Sequence, residues 1–308
     1  MNLAALDLGS NSFHLLVARV GAGGALTKLA SHKEVLRLGA VVQEHGHLPE
    51  AHYAAALAAV GTMVSVARAF EAERIIAVGT SALRDASNGR AFCSEAARSF
   101  RIPVELISGR REAELAYLGA RSGLAGLPER VAVVDIGGGS VEIAVGDGRR
   151  CLHIESLPLG FLRLAKALAA SGPDGAERLR AEVMREIGPV AARLQALRPE
   201  AWIFSGGTAR AVGKLVSGDG EPVVAADVER VTQLLERADR SHLVELGVEA
   251  TRVDAIGLGA SVLGALVEGF ALHAIRISPR GLREGVLLRE LFPEPWSLQE
   301  KRVLPMTA

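Results

Sequence analysis

A glycine-rich stretch at residues 131–142, VAVVDIGGGSVE, constrains the fold of this chain more than any other feature. Its hydrophobic start is typical of a buried strand, and the Asp-x-Gly-Gly-Gly-Ser that follows is typical of a tight loop. Glycine N–H groups in such a loop can converge on phosphate oxygens, and Asp135 stands where the strand ends, well placed to hold Mg²⁺ over that phosphate. Because Gly-rich hairpin turns are common, one such motif leaves phosphate binding and an ordinary turn equally open.

The motif is present twice. Residues 3–14, LAALDLGSNSFH, follow the same plan, and each copy lies between two short apolar stretches that predict strands. A duplicated strand–loop–strand unit implies two similar domains that face each other, and two such loops across a cleft could hold a chain of phosphates from both sides. The corresponding positions are Asp7 and Asp135, Gly9 and Gly137, Asn11 and Gly139, Ser12 and Ser140, and His14 and Glu142.

Composition excludes several classes of protein. The 308 residues are enough for two domains, and Lys plus Arg and Asp plus Glu number 35 each, so no overall basic field predicts a nucleic-acid partner. The longest mostly apolar run, 255–272, contains four glycines and Glu268, which predicts a buried helix rather than a membrane span. Two widely separated cysteines and an aspartate as early as position 7 favour a reduced, cytoplasmic protein without a signal peptide.

Two arginines near predicted strand ends are candidate phosphate ligands. Arg84 follows a strand predicted over 74–78, and a guanidinium at that exit can point into a cleft and bind paired phosphate oxygens. A surface ion pair with Asp85 is the alternative. Arg37 follows a strand predicted over 26–31, and a solvated cation at the strand edge explains it equally well.

A carboxylate and a third glycine loop complete the candidate residues. Glu112 lies in the first turn of a helix predicted over about 110–123, where it is either an ordinary helix-dipole partner or a general base at the cleft floor. Gly206, Gly207 and Thr208 lie between a predicted strand and a predicted helix, and such a helix N-terminus can bind an anion. The segment is not a Walker A loop, since Leu215 follows Lys214.

In chain order these segments resemble the exopolyphosphatase/guanosine-pentaphosphate phosphatase family of the sugar kinase/heat-shock ATPase/actin superfamily. The resemblance implies an α/β fold of two ribonuclease-H-like domains whose mixed sheets face a central cleft. We expect a first domain over 1–123, completed by a C-terminal helix and tail at about 285–308, and a second domain over 124–284. The matching segments are ALDLGSNSFHLLVA (5–18), VGTSALRDASN (78–88), ISGRREAEL (107–115), VVDIGGGSVEI (133–143), FSGGTAR (204–210), TRVDAIGLGA (251–260) and RGLREGVLLREL (280–291).

The resemblance also implies a role for each candidate residue. Glu112 would orient and deprotonate the attacking water, and Asp135 and Glu142 would hold the divalent metal, Mg²⁺ or Mn²⁺, directly or through water. Arg37 and Arg84 would neutralise phosphate charge. Gly206, Gly207 and Thr208 stand where relatives bind a distal phosphate or the sugar–phosphate of a nucleotide. The phosphate-binding positions implied in the two loops are Asp7, Gly9, Ser10, Asn11, Ser12, Gly137, Gly138, Gly139 and Ser140.

The implied activity is that of a metal-dependent exopolyphosphatase, which hydrolyses the terminal phosphate of inorganic polyphosphate and releases orthophosphate. Large relatives carry extra C-terminal helical domains that lengthen the polyphosphate channel and that these 308 residues do not include, so we expect short chains as substrate. Guanosine pentaphosphate is the alternative substrate. A third hypothesis, a catalytically weak polyphosphate or nucleotide sensor, rests on Arg111 and Val141, which replace a common acid and a common threonine. The amphipathic helices of the second half are compatible with a homodimer, and we expect no membrane partner.

Overall fold

The computed structural model describes residues 1–148, 150–169, 175–216, 221–250 and 253–292. The tail 293–308, which the predicted first domain includes, lies outside these residues. Within them, no helix has the length and apolar character needed to cross a membrane.

The first half of the chain forms a five-stranded mixed sheet of order β3-β2-β1-β4-β5. Strands β1, β2 and β3 are antiparallel neighbours, whereas β4 and β5 run parallel to β1. The elements in chain order are β1 (Asn2–Leu8), β2 (Ser12–Val20), β3 (Leu26–Val35), α1 (Leu38–His45), α2 (Glu50–Ala69), β4 (Arg74–Gly79), α3 (Ser81–Asp85), α4 (Gly89–Phe100), β5 (Val104–Leu106) and α5 (Gly109–Ser122).

The second half forms a six-stranded mixed sheet of order β10-β11-β9-β6-β7-β8. The elements in chain order are β6 (Val131–Ile136), β7 (Val141–Gly146), β8 (Cys151–Leu157), α6 (Phe161–Ala169), α7 (Gly175–Ala196), β9 (Ala201–Ser205), α8 (Gly206–Val216), β10 (Pro222–Val224), α9 (Ala225–Arg237), α10 (Arg240–Glu245), α11 (Val253–Gly269), β11 (Ala274–Ile277) and α12 (Leu282–Leu291).

The two sheets repeat one topology. In each, an antiparallel meander of three strands (β1–β3 and β6–β8) is followed by two strands that run parallel to the first strand of the meander (β4 and β5, then β9 and β11). This arrangement is the α/β, ribonuclease-H-like pattern that the family resemblance implies, with the two similar units that the duplicated motif predicts, and the prediction of the fold class is confirmed. The exact domain boundaries, 1–123 and 124–284, stay predictions.

The apolar composition of β1 follows from its position at the centre of the first sheet. Ala4, Leu6 and Leu8 pack against a core that includes α2 and α4, whereas Leu3 and Ala5 pack on the other face with α5 and α12. A strand that is buried on both faces reads as a continuous hydrophobic run, which is what the sequence shows before Asp7.

Strand β3 is longer than the sequence predicts, because its last four residues, His-Lys-Glu-Val, are mostly polar and carry no strand signal. They pair with the start of β2, where Phe13 faces Glu34 and His14 faces Lys33. Cross-strand hydrogen bonding therefore decides the end of this element, and local hydrophobicity does not.

Helix α5 lies between the two sheets and positions the residues at their meeting point. Leu115 and Leu118 pack with α12 on the first sheet, whereas Tyr117 is fully buried against the second sheet. Helices α5 and α12 approach closely at glycine: a Cβ atom on Gly285 would lie 1.8 Å from the carbonyl oxygen of Leu115. The C-terminal helix α12 thus shares its core with β1 and β2, far away in sequence.

Candidate active site

A cleft opens where the strand ends of both sheets meet. Most of the predicted site residues line it, although they come from four separate segments of the chain. The predicted residues that line the cleft are Asp7, Gly9, Ser10, Asn11, Ser12, Glu112, Asp135, Gly137, Gly138, Gly139, Ser140, Gly206, Gly207 and Thr208.

The two glycine loops face each other across this cleft at very short range. A Cβ atom on Gly139 would lie 2.4 Å from Ser10 Oγ and 2.5 Å from Ser81 Oγ, so only glycine lets the second loop approach the first this closely. Ser10 Oγ in turn accepts a hydrogen bond of 3.0 Å from the backbone N–H of Ala82, which ties the first loop to α3. The loops are therefore held as facing walls with backbone groups exposed between them.

A cross-cleft contact from α6 supports the second loop. Arg163 Nε donates a 3.1 Å hydrogen bond to the carbonyl oxygen of Gly139, and the same guanidinium forms an ion pair with Asp85. Asp85 therefore pairs with Arg163, which comes from the opposite side of the cleft. The structure does not show the alternative, in which Asp85 pairs with Arg84 at the surface.

Glu112 is the carboxylate at the floor of the cleft, and it is 7% exposed. Arg84 Nη1 donates a 2.5 Å hydrogen bond to its Oε2 atom, and a 3.2 Å bond to the carbonyl oxygen of Ile107. Burial raises the pKa of Glu112 to about 7, against the opposing effect of Arg84, and Asp135 adds a smaller upward contribution. Arg84 itself does not line the cleft; it lies behind Glu112 and fixes its orientation.

Three further carboxyl groups lie near Glu112, and burial raises the pKa of each. Asp7 and Asp135 line the cleft, whereas Glu142 is 2% exposed and does not line it. The pKa of Asp7 rises to about 7 through desolvation, with added repulsion from Glu112. The pKa of Asp135 is raised mainly by burial, which a hydrogen bond from Ser205 and the charge of Arg210 oppose. Burial and then Glu112 raise the pKa of Glu142 well above its ordinary value. Four acids in one desolvated site repel one another, so the site favours a cation.

Two neighbouring strands supply hydrogen-bond donors for the acids at either end of the second loop. Ser205 Oγ, at the end of β9, donates a 2.6 Å bond to Asp135 Oδ1, and Ser156 Oγ, on β8, donates a 2.9 Å bond to Glu142 Oε1. Asp135 and Glu142 are direct partners across β6 and β7. Donors on the far side of a carboxylate orient it and keep it ionised, which suits a metal ligand.

These residues fit a hard divalent cation such as Mg²⁺. Among the described residues, no three His, Cys, Asp or Glu side chains form a complete protein-only metal centre. Mg²⁺ does not require one, because it is usually bound by one or two carboxylates, with waters and substrate phosphates completing its shell. Asp7 Oδ1 is buried without a hydrogen-bond partner, which is consistent with a site whose charge a cation and its ligands would balance.

The third glycine loop opens a helix at the cleft. Gly206 and Gly207 begin α8 directly after β9, and Thr208 follows them as a buried residue. The first N–H groups of this 11-residue helix lack intrahelical partners, so they can bind an anion in the cleft.

Sequence reasoning missed a group of cleft residues at the starts of α8 and α12. Arg210 and Arg283 line the cleft, and the charge of Arg283 lowers the pKa of Asp7. Glu284 also lines it and accepts a 2.9 Å hydrogen bond from the backbone N–H of Gly281. The available signal was the place of the segments FSGGTAR, which ends at Arg210, and RGLREG in the family pattern. Nothing in their local sequence predicts that these arginines reach a cleft built from residues 7 and 135.

Three other sequence predictions concern residues that lie outside the cleft. Arg37 is exposed and does not line it; its backbone N–H donates a 2.8 Å bond to Asn11, which supports the first loop, and a phosphate role for its side chain stays a prediction. Arg111 pairs with Glu114 at 3.2 Å and is not among the groups that shift the pKa of Glu112. Val141 is fully buried in the core of the second sheet.

Comparison with known proteins identifies the family. The family model described as the Ppx/GppA phosphatase family matches residues 16–294. Exopolyphosphatase 1 of Mycobacterium tuberculosis is 30% identical over 308 residues, covering 96% of this chain and 89% of that protein.

Solved structures of the family have the same fold. The Aquifex aeolicus member of the Ppx/GppA family is 26% identical, with a TM-score of 0.78 over 95% of this chain and 98% of that one. An exopolyphosphatase from Cytophaga hutchinsonii has a TM-score of 0.83 at 24% identity, over 94% of this chain and 98% of that one. This chain belongs to the Ppx/GppA phosphatase family.

Proposed function

We propose that the protein is a metal-dependent exopolyphosphatase that hydrolyses the terminal phosphate of short inorganic polyphosphate. The observation that carries the proposal is the position of a buried carboxylate, Glu112, at the floor of a cleft between two facing glycine loops. The loops offer backbone N–H groups to equatorial phosphate oxygens from both sides, and electrostatic stabilisation of this kind is the main contribution to phosphoryl-transfer catalysis. The names of the relatives support the same activity.

The proposed reaction uses water as the nucleophile. Arg84 occupies one oxygen of Glu112, which leaves the other to accept a proton from water. The water oxygen forms a bond to the terminal phosphorus as the bridging P–O bond breaks, and the shortened chain leaves with the electron pair of that bond. A pKa of about 7 suits a general base at neutral pH, because the group is both partly ionised and basic enough to take the proton.

Asp135 and Glu142 would hold the divalent cation, Mg²⁺ or Mn²⁺. When bound, the cation neutralises charge on the phosphate oxygens. Around it, Ser205 and Ser156 orient the two carboxylates. Asp7, Asn11 and Ser12 form the opposite wall, where the first loop would bind the terminal phosphate.

Guanosine pentaphosphate is a second candidate substrate, because the N-terminus of α8 also opens into the cleft. Gly206 and Gly207 could bind the phosphates of a nucleotide, and Arg210 lies one turn further along the helix. The sensor hypothesis is weakened, since Arg111 pairs with Glu114 and Val141 lies in the core.

The test is phosphate release with Mg²⁺ or Mn²⁺ from short polyphosphate, long polyphosphate, guanosine pentaphosphate and ATP in parallel. We expect short polyphosphate to give the highest kcat/KM. Glu112→Gln should lower kcat by about a thousandfold or more, the contribution of a positioned general base. Glu114→Gln is the matched control on the same helix and should change kcat little, since Glu114 pairs with Arg111 instead of facing the cleft.

Each outcome decides between the hypotheses. Preferred hydrolysis of guanosine pentaphosphate would replace the first candidate with the second. Binding of polyphosphate without phosphate release from any substrate would indicate a sensor. Full activity in Glu112→Gln would remove this residue as the base.

A further inference from the structure

Two consecutive residues of the short helix α3 contact different parts of the candidate active site. Arg84 donates a 2.5 Å hydrogen bond to Glu112, whereas Asp85 forms an ion pair with Arg163 of α6, in the second half of the chain. The first contact orients the proposed general base. The second contact has no role in the reaction as described so far, although it joins α3 to the helix that supports the second glycine loop.

The start of α6 holds the backbone of that loop. The backbone N–H of Leu162 donates a 2.9 Å hydrogen bond to the carbonyl oxygen of Gly138. Arg163 Nε donates a 3.1 Å bond to the carbonyl oxygen of Gly139. A Cβ atom on Gly160 would lie 2.2 Å from the carbonyl carbon of Gly139, so glycine is needed for this close approach. Helix α6 therefore binds two successive carbonyl groups of the second loop.

The bond from Arg163 to Gly139 also fixes the direction of a backbone donor. Among the described residues no peptide bond is cis, and in a trans peptide the C=O and the following N–H point in opposite directions. A bond that holds the carbonyl oxygen of Gly139 therefore fixes the N–H of Ser140, a residue that lines the cleft. Donors of this kind stabilise a transition state when they are held in place before the reaction.

The orientation of Arg163 depends in turn on Asp85. The guanidinium bonds to Gly139 through Nε and pairs with Asp85 through Nη2. Because a guanidinium is planar and rigid, a carboxylate that binds one of its nitrogens also restricts the angle at which another can donate. The side chains of Asp85 and Arg163 are 45% and 35% exposed, so their ion pair contributes little to the free energy of unfolding.

We infer that Asp85 and Arg163 are a positioning pair, which holds the peptide between Gly139 and Ser140 in the orientation that binds phosphate during hydrolysis. The inference rests on the proposed polyphosphate activity and specifies how the second loop is aligned with Glu112. Neither side chain of the pair lines the cleft, so both act through the loop. A surface ion pair without a role in catalysis and an arginine that binds substrate directly are the alternatives that the experiment separates.

The first variants are Asp85→Asn and Arg163→Gln, assayed in the full chain for phosphate release from short polyphosphate with Mg²⁺. Each should lower kcat about tenfold, because a loosely held loop presents its N–H groups in the productive geometry less often. The double variant should be within about twofold of Arg163→Gln, since Asp85 acts through Arg163. An unchanged kcat in both single variants would overturn the inference. A lower KM with unchanged kcat in Asp85→Asn would also overturn it, because that result indicates an arginine released to bind substrate.

A charge exchange separates positioning of the loop from simple attraction between the two halves. Asp85→Arg combined with Arg163→Asp restores an ion pair, but a carboxylate cannot donate a hydrogen bond to the carbonyl oxygen of Gly139. The exchanged variant should therefore keep the low kcat of Arg163→Gln. Recovery of the wild-type kcat would show that the pair only joins the two halves, and would overturn the inference.

Glu249→Gln is the matched control. Glu249 pairs with Lys33 at 3.4 Å and so also joins the two halves of the chain, but neither residue lines the cleft. The control should leave kcat within about twofold of the wild-type value, since it removes an exposed ion pair of the same kind. A loss of kcat equal to that in Asp85→Asn would indicate a general effect of joining the halves and overturn the inference.

Amide hydrogen exchange of residues 137–140 gives a second measurement, which needs no turnover. Without substrate, this loop should exchange at least about threefold faster in Asp85→Asn than in the wild-type protein or in Glu249→Gln. Equal exchange in all three proteins would overturn the inference. If the wild-type protein hydrolyses no substrate, the proposed function fails, and the exchange rates still decide whether the pair holds the loop.

Discussion

The two glycine hairpins have the same backbone plan but different chemical surroundings. In the first, Asp7 Oδ1 is buried without a hydrogen-bond partner among the described residues. In the second, Asp135 Oδ1 accepts a 2.6 Å bond from Ser205. Two equivalent aspartates therefore differ in how well the folded protein supports their charge.

The residue opposite each aspartate differs as well. Asp7 faces His14 across β1 and β2, and Asp135 faces Glu142 across β6 and β7. His14 Nε2 lies 2.9 Å from Ser12 Oγ, whereas Glu142 accepts a bond from Ser156. The second hairpin thus brings two carboxylates together and the first brings only one, which supports the proposal that the cation binds at the second hairpin and the terminal phosphate at the first.

The strongest test of this comparison replaces the residue opposite each aspartate. Glu142→Gln removes one of two proposed cation ligands, so kcat/KM should fall at least about a hundredfold and more Mg²⁺ should be needed. His14→Gln should cost only about fivefold, the value of one neutral hydrogen bond. Phosphate release measured over a range of Mg²⁺ concentrations checks both. An equal loss of activity in both variants would contradict the proposal that the cation binds at the second hairpin and the terminal phosphate at the first.

The second prediction concerns the cost of keeping Asp7 charged. Folding raises its pKa from 3.8 to about 7, so without metal the wild-type protein loses stability as pH rises through that window, because the unfolded chain releases the proton first. Asp7→Asn has no such loss. The free energy of unfolding of this variant, relative to that of the wild-type protein, should rise by on the order of 4 kcal/mol between pH 4 and pH 8. The variant should also lose activity.

Urea unfolding in the presence of a chelator measures this difference. Asp227→Asn is the control, since Asp227 is only half-buried on α9, where it pairs with Arg230, and the same chemical change there should stay within about 0.5 kcal/mol at both pH values. A difference between Asp7→Asn and wild type that does not change with pH would show that Asp7 carries no desolvation penalty.

The smallest expected effect concerns the hydrogen bond from Ser205 to Asp135, which has no counterpart at Asp7 Oδ1. Ser205→Ala removes the donor that lowers the pKa of Asp135, so Mg²⁺ should bind about tenfold more weakly. Calorimetric titration with Mg²⁺ measures this directly. Ser12→Ala should leave Mg²⁺ affinity unchanged and alter only the KM for substrate, since Ser12 belongs to the first hairpin. An equal loss of Mg²⁺ affinity in Ser12→Ala would place the cation between the loops instead.

Much of the fold and of the cleft lining could be predicted because it depends on contiguous motifs. An apolar run, an aspartate and a glycine loop specify a strand and a turn wherever they occur, so the pattern at Asp7 and at Asp135 identifies both hairpins and the duplicated topology. Glu112 and Gly206, which also line the cleft, could be predicted for the same reason, since each stands at a helix start that its local sequence indicates.

The partners of these residues could not be predicted in this way. Ser205 reaches Asp135 because β9 pairs in parallel with β6, which places two residues 70 positions apart side by side. Arg84 reaches Glu112 across 28 positions, although its neighbour Asp85 was the obvious partner in sequence. Arg283 reaches the cleft because α12 packs on the first sheet through its apolar residues and lies close to α5 at Gly285.

The sequence by itself determined that two glycine hairpins exist, that each starts with an aspartate, and that a carboxylate at position 112 begins a helix. The tertiary structure decided which of these groups is charged, which is oriented and which lies beside a cation. The physical reason is that a local motif depends on backbone conformation, which neighbouring residues control, whereas ionisation depends on desolvation and on charges a few ångströms away through space. Those neighbours come together only when both sheets, α5 and α12 are in place.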